Sequence, residues 1–228
     1  MTTISNALQA VRARISKAVA QSGRAPDSVR LVAVSKQVTV SQLHEAYTLG
    51  QTAFGESYVQ EAVKKIENLS AFSIEWHFLG PLQSNKTKLI AANFSWVHSV
   101  DSLKLAQRLS NQRDPLAPPL NICLQVNVSG EASKSGVAPE EALPLAAQLH
   151  GLPGIRLRGL MAIPAPTSEL ATQRAQFRSL RLVQEELIRQ GFELDTLSMG
   201  MSADLEIAIE EGATIVRVGS AIFGARSA

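Results

Sequence analysis

The 228 residues are 45% apolar and 18% charged, the balance of an ordinary globular chain with a substantial core. Twenty-two basic and twenty acidic side chains leave a formal charge of +2 with no long basic run, which argues against nucleic acid as a partner. No apolar stretch approaches the ~20 residues needed to cross a membrane, and the single Cys123 reads as an inert core residue of a reducing compartment.

Residues 1–26 hold Arg12, Arg14, Lys17 and Arg24 and no acid, a composition shared with organellar transit peptides. Against that, Ile4, Leu8, Val11, Ile15 and Val19 recur at three- and four-residue steps and form one helical face. The preferred reading is a structural helix over residues 1–23, closed by Gly23, with Pro26 in the connection that follows. Residues 29–36 are a β-branched, apolar run ending on Lys36, the pattern of a strand buried on both faces. A helix is expected over 41–49, with Ser41 as N-cap and Gly50 as its stop. Strand 52–57, helix 58–69 and strand 74–80 follow. The loop 81–85 leads into a helix from Lys86, then a strand over 94–100 and a helix capped by Asp101 or Ser102.

Residues 113–119 are a proline-rich surface connection. Beyond it the expected elements are strand 120–128, a polar loop over 129–136, helix 139–150 and strand 155–163. The longest helix, 168–190, comes next. Strand 196–201, a short helix over 203–211, strand 214–219 and a closing helical turn complete the chain. Strand and helix thus alternate about eight times after one extra helix, and each parallel crossover needs a helix. The expected fold is α/β, a (β/α)8 TIM barrel with an extra N-terminal helix, formed as one unit by residues 1–228. An open doubly wound sheet is the alternative, but no Gly-x-Gly-x-x-Gly turn follows the first strand.

Active sites of such barrels lie at the C-terminal ends of the strands. Those ends here carry Lys36, Ser57, His77, Asn127, Met161, residues 198–202 and residues 217–220. Lys36 has its stem walled by Val32 and Val34; desolvation there favours a neutral amine, a nucleophile toward aldehydes. The plainer alternative is a lysine that snorkels out at a strand end. Gly200, Met201 and Ser202 follow the seventh strand, and Gly219 and Ser220 the eighth, where barrels bind phosphate. The alternative is that both serines are helix N-caps and the glycines turn formers. Alternation in the last strand points Arg217 into the barrel, where it pairs either with an internal carboxylate such as Glu56 or with a ligand nitrogen. Lysine, buried arginine and phosphate clamp together suit a phosphorylated aldehyde held as a Schiff base, which pyridoxal 5'-phosphate satisfies.

The four histidines have no metal-ligand spacing, and His77 reads as a core residue or one behind the site. Tyr58, next to Ser57, is within reach of the mouth. No Ser-His-Asp or Cys-His arrangement is apparent.

Several stretches resemble the pyridoxal phosphate homeostasis family: Val32-Ala33-Val34-Ser35-Lys36, the run from Trp76 to Lys86, Ser133-Lys134-Ser135-Gly136, Arg158 to Ile163, Leu197 to Ser202 and Val216 to Gly224. The resemblance runs from about residue 4 to the C-terminus. It implies a barrel like the N-terminal part of alanine racemase, without that enzyme's second, β-rich domain. It further implies pyridoxal phosphate on Lys36, Arg217 at the pyridine nitrogen and phosphate contacts from Ser202, Gly219 and Ser220. Ser57, Met161, Ser198, Gly200 and Met201 complete the expected cofactor-binding set. Ser57 is a departure, because the family usually has asparagine there, and serine lacks the amide donors.

On this reading the chain is a cytoplasmic, monomeric cofactor carrier whose recipients are pyridoxal phosphate-dependent apoenzymes. The alternative is an amino-acid racemase or decarboxylase on the same barrel. A third, a lysine-dependent aldolase, leaves Arg217 unexplained. Racemisation needs a second acid or base on the opposite face of the substrate, for which only Tyr58 and His77 offer themselves.

Overall fold

The computed structural model describes residues 3–131 and 134–224; Ser133 of the 133–136 motif lies outside the described residues. The eight strands are β1 (Arg30–Val34), β2 (Ala53–Glu56), β3 (Glu75–Phe78), β4 (Trp96–Val100), β5 (Leu120–Gln125), β6 (Ile155–Met161), β7 (Thr196–Ser198) and β8 (Ile215–Val218). Each pairs in parallel with the next in chain order. β8 then closes on β1, with Arg30 opposite Ile215 and Val32 opposite Arg217. The helices are α1 (Thr3–Gln21), α2 (Val40–Thr48), α3 (Val59–Asn68), α4 (Thr87–Asn93), α5 (Leu103–Gln112), α6 (Ala142–Leu149), α7 (Leu170–Arg189), α8 (Leu205–Glu210) and α9 (Ser220–Phe223). A closed eight-stranded α/β barrel with one extra helix in front is therefore what the alternating pattern produces.

The main core lies between strands and helices, a continuous layer that includes Leu8, Phe54, Phe78, Phe94, Leu124 and Leu180. Each fully buried side chain of this size contributes roughly 1.5–3 kcal/mol, so this layer dominates the stability. Inside the barrel the apolar filling is sparse. Val32, Ala53 and Ile215 form one small cluster, and Trp96, Cys123 and Met161 another. Beside them the interior holds the polar side chains of His77, His98, Ser198 and Arg217, which matters below.

The N-terminal helix is structural. Ile4, Leu8, Val11, Ile15 and Val19 are buried in the common core. Two of the basic residues that resembled a transit peptide brace the connection from β7 to β8: Arg14 donates to Glu206 Oε1 (2.6 Å) and to the Ser202 carbonyl (3.0 Å). Arg24 donates to the carbonyls of Ile209 (2.9 Å) and Ala213 (2.8 Å), at the end of α8 and just beyond it.

Some boundaries differ from expectation. The N-cap of α2 is Thr39, not Ser41: Thr39 Oγ1 accepts from the Gln42 amide (3.3 Å), and Gln42 Oε1 accepts from the Thr39 amide (3.1 Å). Glutamine three residues after Thr39 makes this capping box. The helix expected over 139–150 opens as a 3-10 turn (Pro139–Glu141) before α6. β7 stops at Ser198 rather than at residue 201, because Gly200 takes a left-handed conformation (φ +94°) that turns the chain toward α8.

Candidate functional site

At the C-terminal ends of the strands lies a cleft of about 540 Å³. Its walls include Lys36, Ser57, Tyr58, Met201, Ser202, Arg217, Gly219 and Ser220. Seven residues expected at a site thus line one cavity: Lys36, Ser57, Met201, Ser202, Arg217, Gly219 and Ser220. Val34, Leu79, Pro81 and Ile163 supply an apolar wall. Met161, Ser198 and Gly200 are not in the lining. Met161 is buried against Trp96 and Cys123, Ser198 lies under Arg217, and the Gly200 carbonyl accepts from the Arg217 amide (2.9 Å). A larger groove, about 620 Å³, runs along the outside of α7. Its charged residues Arg174, Arg178 and Glu186 are engaged in ion pairs, and its lining includes Ser179 but no lysine, cysteine or histidine, so the mouth is the candidate site.

Lys36 follows β1 in a turn that is held on both sides. The Ser35 hydroxyl donates to Glu56 Oε1 (2.6 Å), and the Ser35 carbonyl accepts from Lys65 Nζ (2.6 Å). After Lys36, Gln37 adopts a left-handed backbone (φ +62°), unusual for a residue with a Cβ. Its amide donates to Glu61 Oε1 at 2.6 Å. Lys65 joins the two carboxylates, 2.9 Å from Glu56 and 2.5 Å from Glu61. Burial raises the Glu56 carboxyl, partly countered by the Lys65 charge and the Ser35 hydrogen bond. Sequence reasoning missed this clamp, because α3 carries several charged residues and nothing in the sequence marks Lys65 as the one that turns inward.

Glu56 as the partner of Arg217 is therefore incorrect. Alternation in β2 points Gly55 into the barrel, where an added Cβ would stand 2.5 Å from Leu79, and so turns Glu56 outward under α3. Arg217 instead donates from Nη1 to Ser198 Oγ (2.7 Å) and from Nη2 to the Ala162 carbonyl (2.9 Å). Burial lowers its guanidinium to about 10, which leaves it charged at neutral pH.

The serines are not N-caps. Asp204 caps α8 and Gly219 caps α9, while the Ser220 hydroxyl donates to Ser202 Oγ across 3.2 Å. Two hydroxyls that meet each other in the cleft wall can both be turned toward an anion. Close packing shapes the wall at Ser57: a Cβ on Gly80 would lie 2.2 Å from the Ser57 carbonyl, so only glycine lets β2 and β3 end side by side there.

His77 and His98 are both fully buried inside the barrel. His77 stacks on Trp96 with ring centroids 5.5 Å apart, and its Nδ1 lies 2.9 Å from His98 Nε2. Burial lowers both imidazoles, His98 more strongly because His77 and Arg217 add to the effect. Both are neutral. Strand alternation puts both rings inside, but their meeting depends on β3–β4 register. Cys123 is an inert core residue, its thiol pushed up to about 12 by burial. Among the described residues no group of three or more His, Cys, Asp or Glu forms a metal site. No described helix is long and apolar enough to cross a membrane.

Residues 7–227 match the family described as alanine racemase, N-terminal domain. The pyridoxal phosphate homeostasis protein of Pseudomonas aeruginosa is 57% identical over 99% of this chain and 97% of its own length. That of Escherichia coli K12 is 48% identical over 99% and 98%. Among solved structures, PipY of Synechococcus elongatus, with PLP bound, superposes with a TM-score of 0.80 at 39% identity, covering 92% of this chain and 100% of PipY. Alanine racemase of Clostridium difficile shares the fold alone, with a TM-score of 0.77 at 16% identity over 99% of this chain and 57% of the racemase. With a full-length match to the racemase barrel and near-complete alignment to these relatives, the chain belongs to the pyridoxal phosphate homeostasis protein family.

Proposed function

We propose that the cleft binds pyridoxal 5'-phosphate and that the chain stores and delivers this cofactor rather than turning over amino acids. The observation that carries the reading is the convergence of Lys36, Arg217 and the Ser202–Ser220 pair on one cavity. The cofactor offers an aldehyde, a ring nitrogen and a phosphate, and the cleft presents an amine, a guanidinium and paired hydroxyls beside Gly219. The donor set fits the group. Lys36 would hold the aldehyde carbon, Ser202, Gly219 and Ser220 the phosphate, and Arg217 the ring nitrogen. When bound, the cofactor supplies an electron-withdrawing ring.

The residues present favour carriage. Arg217 can donate a hydrogen bond to the ring nitrogen but does not readily give up its proton, so the ring stays a weaker electron sink. A racemase needs a second proton-transfer group on the far side of a substrate. His77 is engaged with His98 and Glu75 and does not line the cleft, which leaves only the exposed Tyr58. A cytoplasmic monomer serving pyridoxal phosphate-dependent apoenzymes belongs to the same proposal.

The test is to add pyridoxal phosphate to purified protein, reduce with borohydride and locate the adduct by mass spectrometry. Attachment at Lys36 is expected, and Lys36→Ala abolishes it while the fold remains. An adduct on Lys86 or Lys134 instead overturns the assignment. Exchange of substrate α-hydrogens in deuterated water at about 1 s⁻¹ or faster overturns the carrier role.

A further inference from the structure

We propose that Glu75, at the far end of the barrel from the cleft, is a positioning residue for Arg217, acting through a one-way hydrogen-bond relay of His77, His98 and Ser198. The links are short and unbroken. Arg217 Nη1 meets Ser198 Oγ at 2.7 Å, Ser198 Oγ meets His98 Nδ1 at 2.7 Å, His98 Nε2 meets His77 Nδ1 at 2.9 Å, and His77 Nε2 meets Glu75 Oε1 at 2.7 Å. Arg30 Nη1 joins the same Glu75 oxygen at 2.6 Å. Four strands carry the relay, β3, β4, β7 and β8, and β1 supplies Arg30.

The ends of the relay dictate its polarity. A guanidinium only donates and a carboxylate only accepts. Ser198 Oγ therefore accepts from Arg217, and with both imidazoles neutral its one proton goes to His98 Nδ1. His98 must then carry its proton on Nε2 and donate to His77 Nδ1. His77 in turn carries its proton on Nε2 and donates to Glu75. Both imidazoles are neutral and both tautomers are determined. The reverse direction needs a proton on Glu75, so that the carboxyl donates to His77, His77 to His98, and His98 to Ser198. Burial alone would raise the Glu75 carboxyl, but His77 and Arg30 outweigh it and hold it below the usual range, which favours the first direction.

The consequence reaches the cleft. With the first polarity the Ser198 oxygen turns its lone pairs to Arg217 and its proton away, and holds the guanidinium where it lines the cleft. With the reverse, Ser198 Oγ divides its two lone pairs between His98 and Arg217 and its proton turns elsewhere, which weakens its hold on the guanidinium. The half-exposed Arg30–Glu75 pair at the bottom of the barrel thus biases the donor that faces a ligand at the top. Every member sits on a strand of one barrel, so the coupling needs no domain movement.

Two measurements test the relay, and only the second rests on the proposed cofactor. In the cofactor-free protein, histidine ¹⁵N chemical shifts should show a protonated Nε2 and a bare Nδ1 on both His77 and His98, and Glu75→Gln should disturb both rings. A protonated Nδ1 on either ring in the wild type, or unchanged shifts in Glu75→Gln, overturns the relay. In the pyridoxal phosphate-loaded protein, Glu75→Gln should shift the absorption band and weaken binding about five-fold, the equivalent of one hydrogen bond. Ser198→Ala should do the same, and Ser198→Thr, which keeps the hydroxyl, should restore the wild-type band; failure of that rescue overturns the relay. If Glu75→Gln does not fold, the wild-type tautomers and the surface variant Arg30→Gln decide, the latter expected to move the same band in the same direction. If the wild type binds no pyridoxal phosphate, the cofactor reading fails while the tautomer result still judges the relay.

Discussion

Lys65 Nζ lies 2.6 Å from the carbonyl of Ser35, so a buried amine on α3 holds the residue before Lys36. Glu61, which Lys65 also binds, holds the residue after it through the Gln37 amide. Lys65→Met leaves Glu56 buried and unpaired and should cost about 3–5 kcal/mol. Glu61→Ala is milder, because Glu61 is half-buried. It should cost about 1.5 kcal/mol or less and slow attachment of pyridoxal phosphate to Lys36 by releasing the left-handed turn. Thermal unfolding measures the first effect and stopped-flow absorbance the second. An unchanged attachment rate in Glu61→Ala would show that the clamp serves only the fold.

Ser202→Ala and Ser220→Ala should each weaken cofactor binding by about 1.5–3 kcal/mol, one hydrogen bond to a charged group. Their hydroxyls touch, so the double variant should lose less than the sum of the two. Titration of the three variants checks this. Full additivity would mean that the serines act separately, and unchanged affinity that neither meets the phosphate.

Ser57→Asn brings an amide to the lining of the cleft that Ser202 and Ser220 share. If that position touches the ring or Lys36, the variant binds pyridoxal phosphate more tightly or moves its absorption band. Identical spectra and affinities would assign Ser57 to the wall alone.

Acid stability should report on the buried histidines. Their folded pKa values lie below the free value of about 6.5, so below that pH the unfolded chain binds protons that the native state refuses. Stability is full above pH 6.5 and falls as the pH drops, by up to about 1.4 kcal/mol per pH unit for each histidine. His98 is faced by His77 from β3 and by Arg217 from β8, and both oppose its protonation. Glu56, raised by burial, works with the opposite sign at lower pH. The measurement is therefore the difference between wild type and His98→Gln from pH 7 to 5. A flatter profile is expected for the variant, and parallel curves would refute the assignment.

The alternation of apolar strands and amphipathic helices was sufficient to specify the barrel, because period 2 and period 3.6 are local properties and parallel crossovers admit few topologies. Lys36, Ser57, Ser202, Arg217, Gly219 and Ser220 were legible because strand ends in such a barrel must converge on one face. The roles of Glu56, Lys65 and His98 were not. Whether a charged residue turns inward or outward at a strand end is settled by register and by the neighbours that meet it. Gly55 sends Glu56 under α3, where Lys65 finds it. The pairing of β3 with β4 sets His77 beside His98, and closure through β7 and β8 brings Ser198 beneath Arg217. Single residues and their periodicity are written in the chain, but a hydrogen bond between residues 100 positions apart, such as His98 to Ser198, exists only once the barrel has closed.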